Sequence, residues 1–211
     1  MSERPLTVFA VLGAHDRELQ NAVAKQDRAA DGIARFSDAP SLPLDWMWVL
    51  DGTALPSSGA LTALLAAAHR LESVVTPIVL ASVIVGPDRR LAPAHVPLAP
   101  QDQTALAVRT VPLRVLPIRA VTGGSLLIRP ERLIESPRPG IASMVAWTAR
   151  CLREGGGFLV PSSVARARPV AHRRLEQASL AARLLLGSAL RPKERLRVAT
   201  EICERAGVFQ R

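Results

Sequence analysis

The segment 45–56 constrains the fold of this chain more than any other part of the sequence. Its apolar residues 46–50 are followed abruptly by Asp51, a glycine, a hydroxyl residue and, soon after, a proline. A short apolar run closed by turn residues is typical of a strand buried on both faces of an α/β sheet. A helical pattern follows over 59–70, so Asp51 is expected at the carboxyl end of a strand, where open α/β folds bind their ligands.

Two interpretations of Asp51 follow from this local pattern. In the first, the strand delivers a functional carboxylate to the mouth of the sheet. In the second, Asp51 and Gly52 simply form a turn, and the aspartate side chain caps the bend that follows. The sequence around residue 51 leaves both interpretations open.

Strands and helices are predicted to alternate along the chain, which indicates an α/β domain. A loop rich in proline is expected over 86–103, and Gly123-Gly124 break the chain before a strand. Asp16 is expected to cap the first helix, and the glycines at 155–157 to end the last helix of the body. The predicted strands are 6–12, 32–36, 44–50, 77–85, 108–118, 125–129 and 158–160, and the predicted helices are 16–27, 59–70 and 141–154.

Charge divides the chain into two regions. The formal net charge is +9, but residues 1–165 carry 16 basic and 14 acidic side chains, whereas 166–211 carry 11 and 4. The basic region contains two predicted helices, 172–186 and 192–206. We therefore expect a domain over 1–165 and a basic helical extension over 166–211.

Composition disfavours several classes of protein. Aromatic residues make up only 3% of the chain and tyrosine is absent, which disfavours single-strand binding by base stacking. Cys151 and Cys203 lack the spacing of a zinc site. Sequence motifs of ATPases, serine hydrolases and zinc proteases are missing. The apolar stretch 74–86 is too short to span a bilayer, so we expect a cytoplasmic protein, soluble or peripherally membrane-associated.

Four polar residues near the ends of the first two strands are further candidates for ligand binding. His15, Asp16 and Arg17 lie where the first strand passes into a helix, and helix N-termini bind phosphate well. A capped turn explains the same residues without a ligand. Asp38 follows the second strand, where it is either a contact to a base or ribose or an ordinary loop acid.

Read in order, several motifs resemble those of the family 2-type glycosyltransferases with the GT-A fold, in the subgroup that builds actinobacterial-type cell-wall and surface glycans. The frame of the family's Leu-Asp-Asp-Asp-Thr-x-Pro motif is occupied by 50–56, and a later loop and strand of the family resemble 123–129. A Trp-x-x-Arg helix, a glycine break and a Val-Pro strand correspond to 147–150, 155–157 and 159–161. The resemblance implies a mixed sheet with flanking helices.

The resemblance also implies a function. The donor is expected to be a nucleotide-sugar, and the acceptor a surface glycan or a lipid-linked molecule. Asp51, supported by Thr53, is expected to orient the sugar diphosphate and to hold any Mg²⁺ or Mn²⁺. The loops His15–Arg17 and Gly123–Ser125 are expected to line the donor and acceptor sides, with Trp147 contributing to substrate binding.

The chain departs from the family pattern at two chemically important positions. A divalent ion requires hard anionic oxygen ligands, but the second carboxylate of the metal motif is replaced by Thr53. The general base should be an acid just before Trp147, and the residues there are Ser143-Met144-Val145-Ala146. The sequence therefore assigns no catalytic residue, and an inactive GT-A-fold module that partners an active enzyme or a membrane is the alternative function.

The basic extension has three interpretations. It is either a solvated helical pair packed on the domain, a surface for anionic membranes, or a nucleic-acid-binding element. Because no recognition motif accompanies the charge, we expect no nucleic-acid partner.

Overall fold

The computed structural model describes residues 6–13, 16–37, 44–92, 110–121, 123–132, 141–152 and 156–168. The predicted α/β character is confirmed, because the described residues form one mixed sheet with helices packed against it. The helices are α1 (Arg17–Ala24), α2 (Ala60–Glu72) and α3 (Ile141–Cys151). The strands are β1 (Val8–Leu12), β2 (Gly32–Arg35), β3 (Trp46–Leu50), β4 (Ala54–Pro56), β5 (Pro77–Val85), β6 (Leu116–Ile118), β7 (Ser125–Ile128) and β8 (Gly156–Ala167).

The strand order in this eight-stranded sheet is β2-β1-β3-β7-β5-β8-β4, with β6 also paired to β8, among the described residues. Strands β1, β2 and β3 are parallel to one another, and β5 is parallel to β8. Strand β7 is antiparallel to both β3 and β5, and β4 and β6 are antiparallel to β8. The carboxyl ends of β1 and β3 therefore meet at one edge of the sheet, called the carboxyl edge below.

Strand β3 is buried on both faces, as its continuous apolar run predicts. Trp46, Trp48 and Leu50 pack into a core cluster with helices α1 and α2. Met47 and Val49 point the other way, into a second cluster that includes residues of α3. Each completely buried large apolar side chain contributes about 1.5–3 kcal/mol of hydrophobic free energy, so this strand fixes the position of residue 51 firmly.

Two predicted elements near the middle and end of the chain need correction. The strand predicted over 108–118 is wrong for its described middle part, where Val111–Leu113 form a 3₁₀ turn and only Leu116–Ile118 are extended. Pro112 favours such a turn, and Arg114 ends it in a left-handed conformation with φ of 58°. Gly156 and Gly157 do not end a helix, because they pair with residues 77 and 79 as the start of β8.

Strand β8 is far longer than the predicted 158–160. It spans 12 residues, and its pairing with β5 shifts register next to Ser82. Along this length it pairs with β4, β5 and β6. It continues to Ala167, past the boundary expected at residue 165, and the helices predicted at 172–186 and 192–206 lie outside the described residues. Within the described ranges, none of the helices has the length and apolar character to cross a membrane.

Gln26 is a buried polar residue that joins the first two helices. Its Oε1 accepts a hydrogen bond of 3.1 Å from the N–H of Leu61, and its Nε2 donates to the carbonyls of Ala22 (3.1 Å) and Ser57 (2.7 Å). The N-cap residue of α2, Gly59, provides no side-chain cap. The side chain of Gln26, 35 residues before Leu61 in the sequence, therefore caps the N-terminus of α2.

We expect the Gln26→Leu substitution to lower the free energy of unfolding by about 1–3 kcal/mol, because it leaves the buried N–H of Leu61 without its acceptor. Urea denaturation measures the change. Lys25→Leu is the matched control, since Lys25 is the exposed neighbour. Equal stabilities of the two variants would contradict the capping role of Gln26.

Candidate functional site

Asp51 lies at the carboxyl edge, directly beside the end of β1. Leu12 and Leu50 are paired, and the N–H of Gly13 donates a hydrogen bond of 2.8 Å to the carbonyl of Leu50. A Cβ added to Gly13 would lie 3.0 Å from the Cα of Asp51. The two chain segments that leave β1 and β3 are thus in close contact at the point where the sequence predicts a ligand.

One oxygen of the Asp51 carboxylate binds three donors from its own chain. Oδ1 accepts hydrogen bonds from the N–H of Thr53 (2.9 Å), the hydroxyl of Thr53 (2.7 Å) and the N–H of Gly124 (3.0 Å). The bonds to Thr53 cap the bend after β3, as the second interpretation of Asp51 predicted. The bond to Gly124 adds a connection across 73 residues of sequence. We call these three bonds the Asp51 clasp.

The other oxygen, Oδ2, is buried and has no hydrogen-bond partner among the described residues. Gly123 lies against it: a Cβ there would overlap Oδ2 and lie 2.9 Å from Cγ of Asp51. Gly123 and Gly124 have φ of 111° and 98°, a backbone conformation that residues with a side chain rarely adopt. The glycine pair therefore serves close packing on the Asp51 carboxylate as well as the turn.

Two of the predicted site residues have their side chains in the core. Ser125 is fully buried; its Oγ accepts a hydrogen bond of 3.0 Å from Nε1 of Trp48 and lies 2.8 Å from Oγ of Ser82. Trp147 is 2% exposed and belongs to the apolar cluster behind β3. Any contribution of these two residues to ligand binding would come from the position they give the neighbouring backbone.

Asp16 and Arg17 lie at the start of α1 near the Asp51 clasp. Asp16 caps the helix as predicted, since its Oδ1 accepts a hydrogen bond of 2.9 Å from the N–H of Glu18. Its Oδ2 accepts a hydrogen bond from the guanidinium of Arg168. Arg17, the first helical residue, is exposed. His15 and Asp38, the other two predicted contacts, lie outside the described residues.

Arg168 is the site residue that sequence reasoning missed. Its backbone N–H donates a hydrogen bond of 2.9 Å to the carbonyl of Thr53, and its guanidinium lies 3.4 Å from the carbonyl of Gly52 and 3.2 Å from the carboxylate of Glu18. Strand β8 carries it there by pairing with β4. No local motif distinguishes Arg168 from the other arginines of the basic extension.

The side chains around Asp51 do not fit a divalent ion. Oδ1 is already occupied by three donors, Oδ2 is buried, and the hydroxyl of Thr53 is turned to Asp51 as a donor. Within the described residues there is no group of three His, Cys, Asp or Glu side chains able to hold a metal. Mg²⁺ and Mn²⁺ prefer several anionic oxygen ligands, and a single enclosed carboxylate does not meet that need.

Apolar side chains occupy the positions where the family pattern has an acid. Met144 and Val145 are buried on α3, and Cγ of Met144 lies 3.3 Å from the position of a Cβ on Gly123. No carboxylate reaches the Gly123 loop from the described side chains of this helix. Cys151 on the same helix is not a reactive nucleophile, because burial raises the pKa of its thiol to about 11.

Comparison with solved structures identifies the fold. The chain superposes on S. aureus TarS 1–349 with a TM-score of 0.53 at 11% identity, covering 98% of this chain and 73% of TarS 1–349. The complex of that fragment with UDP-GlcNAc gives 0.56 at 11% identity, with coverage of 97% and 73%. The fold is that of GT-A-like glycosyltransferases.

A third solved structure has the same fold. GalNAc-T7 with UDP, GalNAc and Mn²⁺ gives a TM-score of 0.52 at 14% identity, covering 98% of this chain and 55% of GalNAc-T7. The chain therefore spans little more than half of that protein. No protein-family model and no curated protein matches the sequence. The GT-A-like fold class implied by the sequence motifs is confirmed by these superpositions.

We expect Gly123→Ala to lower the free energy of unfolding by at least about 2 kcal/mol, because the methyl group meets the Asp51 carboxylate and the backbone conformation is unfavourable for alanine. Chemical denaturation measures the loss. Gly59→Ala is the control, since the nearest atom to a Cβ there is 3.5 Å away. A Gly123→Ala protein as stable as Gly59→Ala would refute the close packing described here.

The ion pair of Arg168 with Asp16 should make stability depend on pH. The hydrogen bond from Arg168 lowers the pKa of Asp16 below its usual 3.8, and the N–H of Glu18 adds to the effect while burial partly opposes it. A carboxylate with a lowered pKa stabilises the folded state above its unfolded pKa and loses that effect as the pH falls through its folded pKa.

We therefore expect Arg168→Gln to reduce the melting temperature at neutral pH, with the difference from the unmodified chain shrinking once the pH falls below the usual carboxyl pKa of 3.8. Melting curves recorded across this range measure it. Arg70→Gln, an exposed substitution on α2, should have no such dependence. A difference that persists unchanged in acid would mean that Arg168 does not act through Asp16.

Proposed function

We propose that this chain binds a nucleotide-sugar at the carboxyl edge of its sheet and transfers the sugar to a surface-glycan or lipid-linked acceptor. The observation that carries the proposal is the meeting of three segments at that edge: the Asp51–Thr53 turn, the first turn of α1 and the Gly123–Gly124 loop. Open α/β folds bind ligands at such an edge, and this chain has a GT-A-like fold.

Each segment has a distinct part in the proposed site. The start of α1, with the exposed Arg17, offers positive charge for a diphosphate. Gly123 and Gly124 are buried, and a Cβ on either would point at Asp51 or Ile84, so this loop is proposed to act through its packing at the end of β3. The Asp51 clasp fixes this loop relative to β3. His15 and Asp38 remain predicted donor contacts, and Ser125 and Trp147 are proposed to act by holding the loop and α3 in place.

Ligands of proteins with this fold support the proposal. S. aureus TarS 1–349 has been solved with UDP-GlcNAc and with UDP, and GalNAc-T7 has been solved with UDP, GalNAc and Mn²⁺. A uridine diphosphate is therefore the first nucleotide to test. The proposed location is the cytoplasm, with peripheral membrane contact through 166–211, because anionic lipid surfaces attract clustered arginines.

A catalytically inactive binding module is the second candidate. Met144 and Val145 occupy the positions expected for a general base, and Thr53 replaces a metal-binding carboxylate. Such a module would bind the nucleotide-sugar and place it, or an active enzyme, near a membrane. The two candidates share the binding site and differ only in turnover.

We expect UDP or thymidine diphosphate to bind the full chain, and Arg17→Ala to weaken that binding at least about five-fold, because a charge-assisted contact to phosphate is lost. Isothermal titration calorimetry measures the dissociation constants. Arg70→Ala is the matched control: Arg70 is also exposed on a helix, but it lies near the end of α2, towards the opposite edge of the sheet.

The outcomes separate the candidates. Binding together with release of UDP from UDP-sugars in the presence of an acceptor supports the transferase, and binding without turnover supports the inactive module. If neither nucleotide binds, or if Arg17→Ala and Arg70→Ala bind equally well, the proposed site at the carboxyl edge is refuted.

A further inference from the structure

We propose that the nucleotide diphosphate is held without a divalent ion, and that the guanidinium of Arg168 supplies the positive charge that a metal would otherwise bring. The proposal rests on the proposed function, because it concerns the way in which the same edge of the sheet would bind its ligand. It goes against the expectation, drawn from the family motif, that Asp51 holds Mg²⁺ or Mn²⁺.

The carboxylate of Asp51 is enclosed by the protein. A metal ligand must present a free oxygen lone pair towards the ion, but Oδ1 already accepts three hydrogen bonds at 2.7–3.0 Å. Oδ2 is covered by Gly123. The residue is only 5% exposed. Asp51 therefore joins the bend after β3 to the Gly123–Gly124 loop and presents neither oxygen to a ligand at the edge.

The hydroxyl of Thr53 is hydrogen-bonded to Asp51. This hydroxyl donates to Asp51 at 2.7 Å, so the residue in the place of the second carboxylate strengthens the clasp. A hydroxyl that donates in this direction points its proton at the carboxylate, and a cation placed between the two groups would have to break the bond. Thr53 thus satisfies Oδ1 of Asp51, and the Asp51-Gly52-Thr53 sequence contains one carboxylate in place of an anionic pair that calls for a cation.

Arg168 places a cation against this turn. The guanidinium of Arg168 lies 3.4 Å from the carbonyl of Gly52, and its backbone N–H bonds to the carbonyl of Thr53. Arginine binds phosphate oxygens with two parallel hydrogen bonds, so a single side chain can clamp a diphosphate. The structure therefore holds a positive charge, from the residue after β8, next to this turn.

Arg168 is paired with Asp16 and Glu18. The carboxylate of Glu18 is 62% exposed, and exposed ion pairs contribute little to stability. A diphosphate carries more negative charge than either carboxylate and can compete for the guanidinium. The neighbouring Arg17 would compensate part of the additional negative charge. The pairing with the two acids keeps Arg168 in place until the ligand arrives.

The test is a titration of the full chain with UDP, and with thymidine diphosphate, in EDTA and again in Mn²⁺. We expect the dissociation constants in the two buffers to agree within about two-fold. Binding at least ten-fold tighter with Mn²⁺ would overturn metal-free binding while leaving the proposed nucleotide site intact. The absence of binding in both buffers would refute the proposed function and this inference together.

Variants of Arg168 test the second half of the proposal. Arg168→Gln should weaken binding in EDTA at least about five-fold, and Arg168→Lys should keep part of the affinity because the charge remains without the forked geometry. Arg70→Gln should have no effect. Circular dichroism establishes that each variant is folded at the titration temperature. Unchanged affinity in a folded Arg168→Gln protein would overturn the role of this residue.

Thr53→Asp provides a test in the opposite direction, with a readout independent of activity. The substitution restores the second carboxylate of the family motif, and two adjacent carboxylates favour a divalent ion. We expect Mn²⁺ with UDP to raise the melting temperature above that with UDP alone in Thr53→Asp, but not in the unmodified chain. An equal rise in both proteins would show that the natural site already binds the metal.

Discussion

The structure depends on one carboxylate oxygen at the end of a buried strand. Oδ1 of Asp51 receives hydrogen bonds from the bend that follows β3 and from the loop that precedes β7. Strands β3 and β7 pair with each other, so the Asp51 clasp adds side-chain hydrogen bonds at the end of this backbone pairing. A buried acceptor with several good donors is far more favourable than one left unsatisfied, which ties the loop geometry to this residue.

The residue pattern of the body predicted much of the sheet because burial dictates it. An uninterrupted apolar run such as Trp46–Leu50 can be accommodated only by a strand with cores on both faces, and the structure has both. The bounds of β5 agree with the predicted 77–85. The turn chemistry at Asp16 and Asp51 was equally local, so the capping of α1 and of the bend after β3 could be anticipated from a few neighbouring residues.

What the sequence did not predict arises from contacts between distant residues. The three residues of β4 are too few to produce a pattern, and they are extended because β8 pairs with them. The same pairing brings Arg168 to the start of α1, which no local motif indicates. The family resemblance predicted Ser125 in a loop that lines the substrate, but its neighbours across the sheet, Trp48 and Ser82, place its hydroxyl in the interior.

Strand β8 also ends beside the bend that follows β3. It crosses the sheet from Gly156 to Ala167, and the next residue, Arg168, contacts both α1 and the bend after β3. Arg166 of β8 is exposed and is paired with Leu55, two residues after Thr53 of that bend. A fluorophore attached at position 166 would therefore sit close enough to the bend for its emission to report occupancy there.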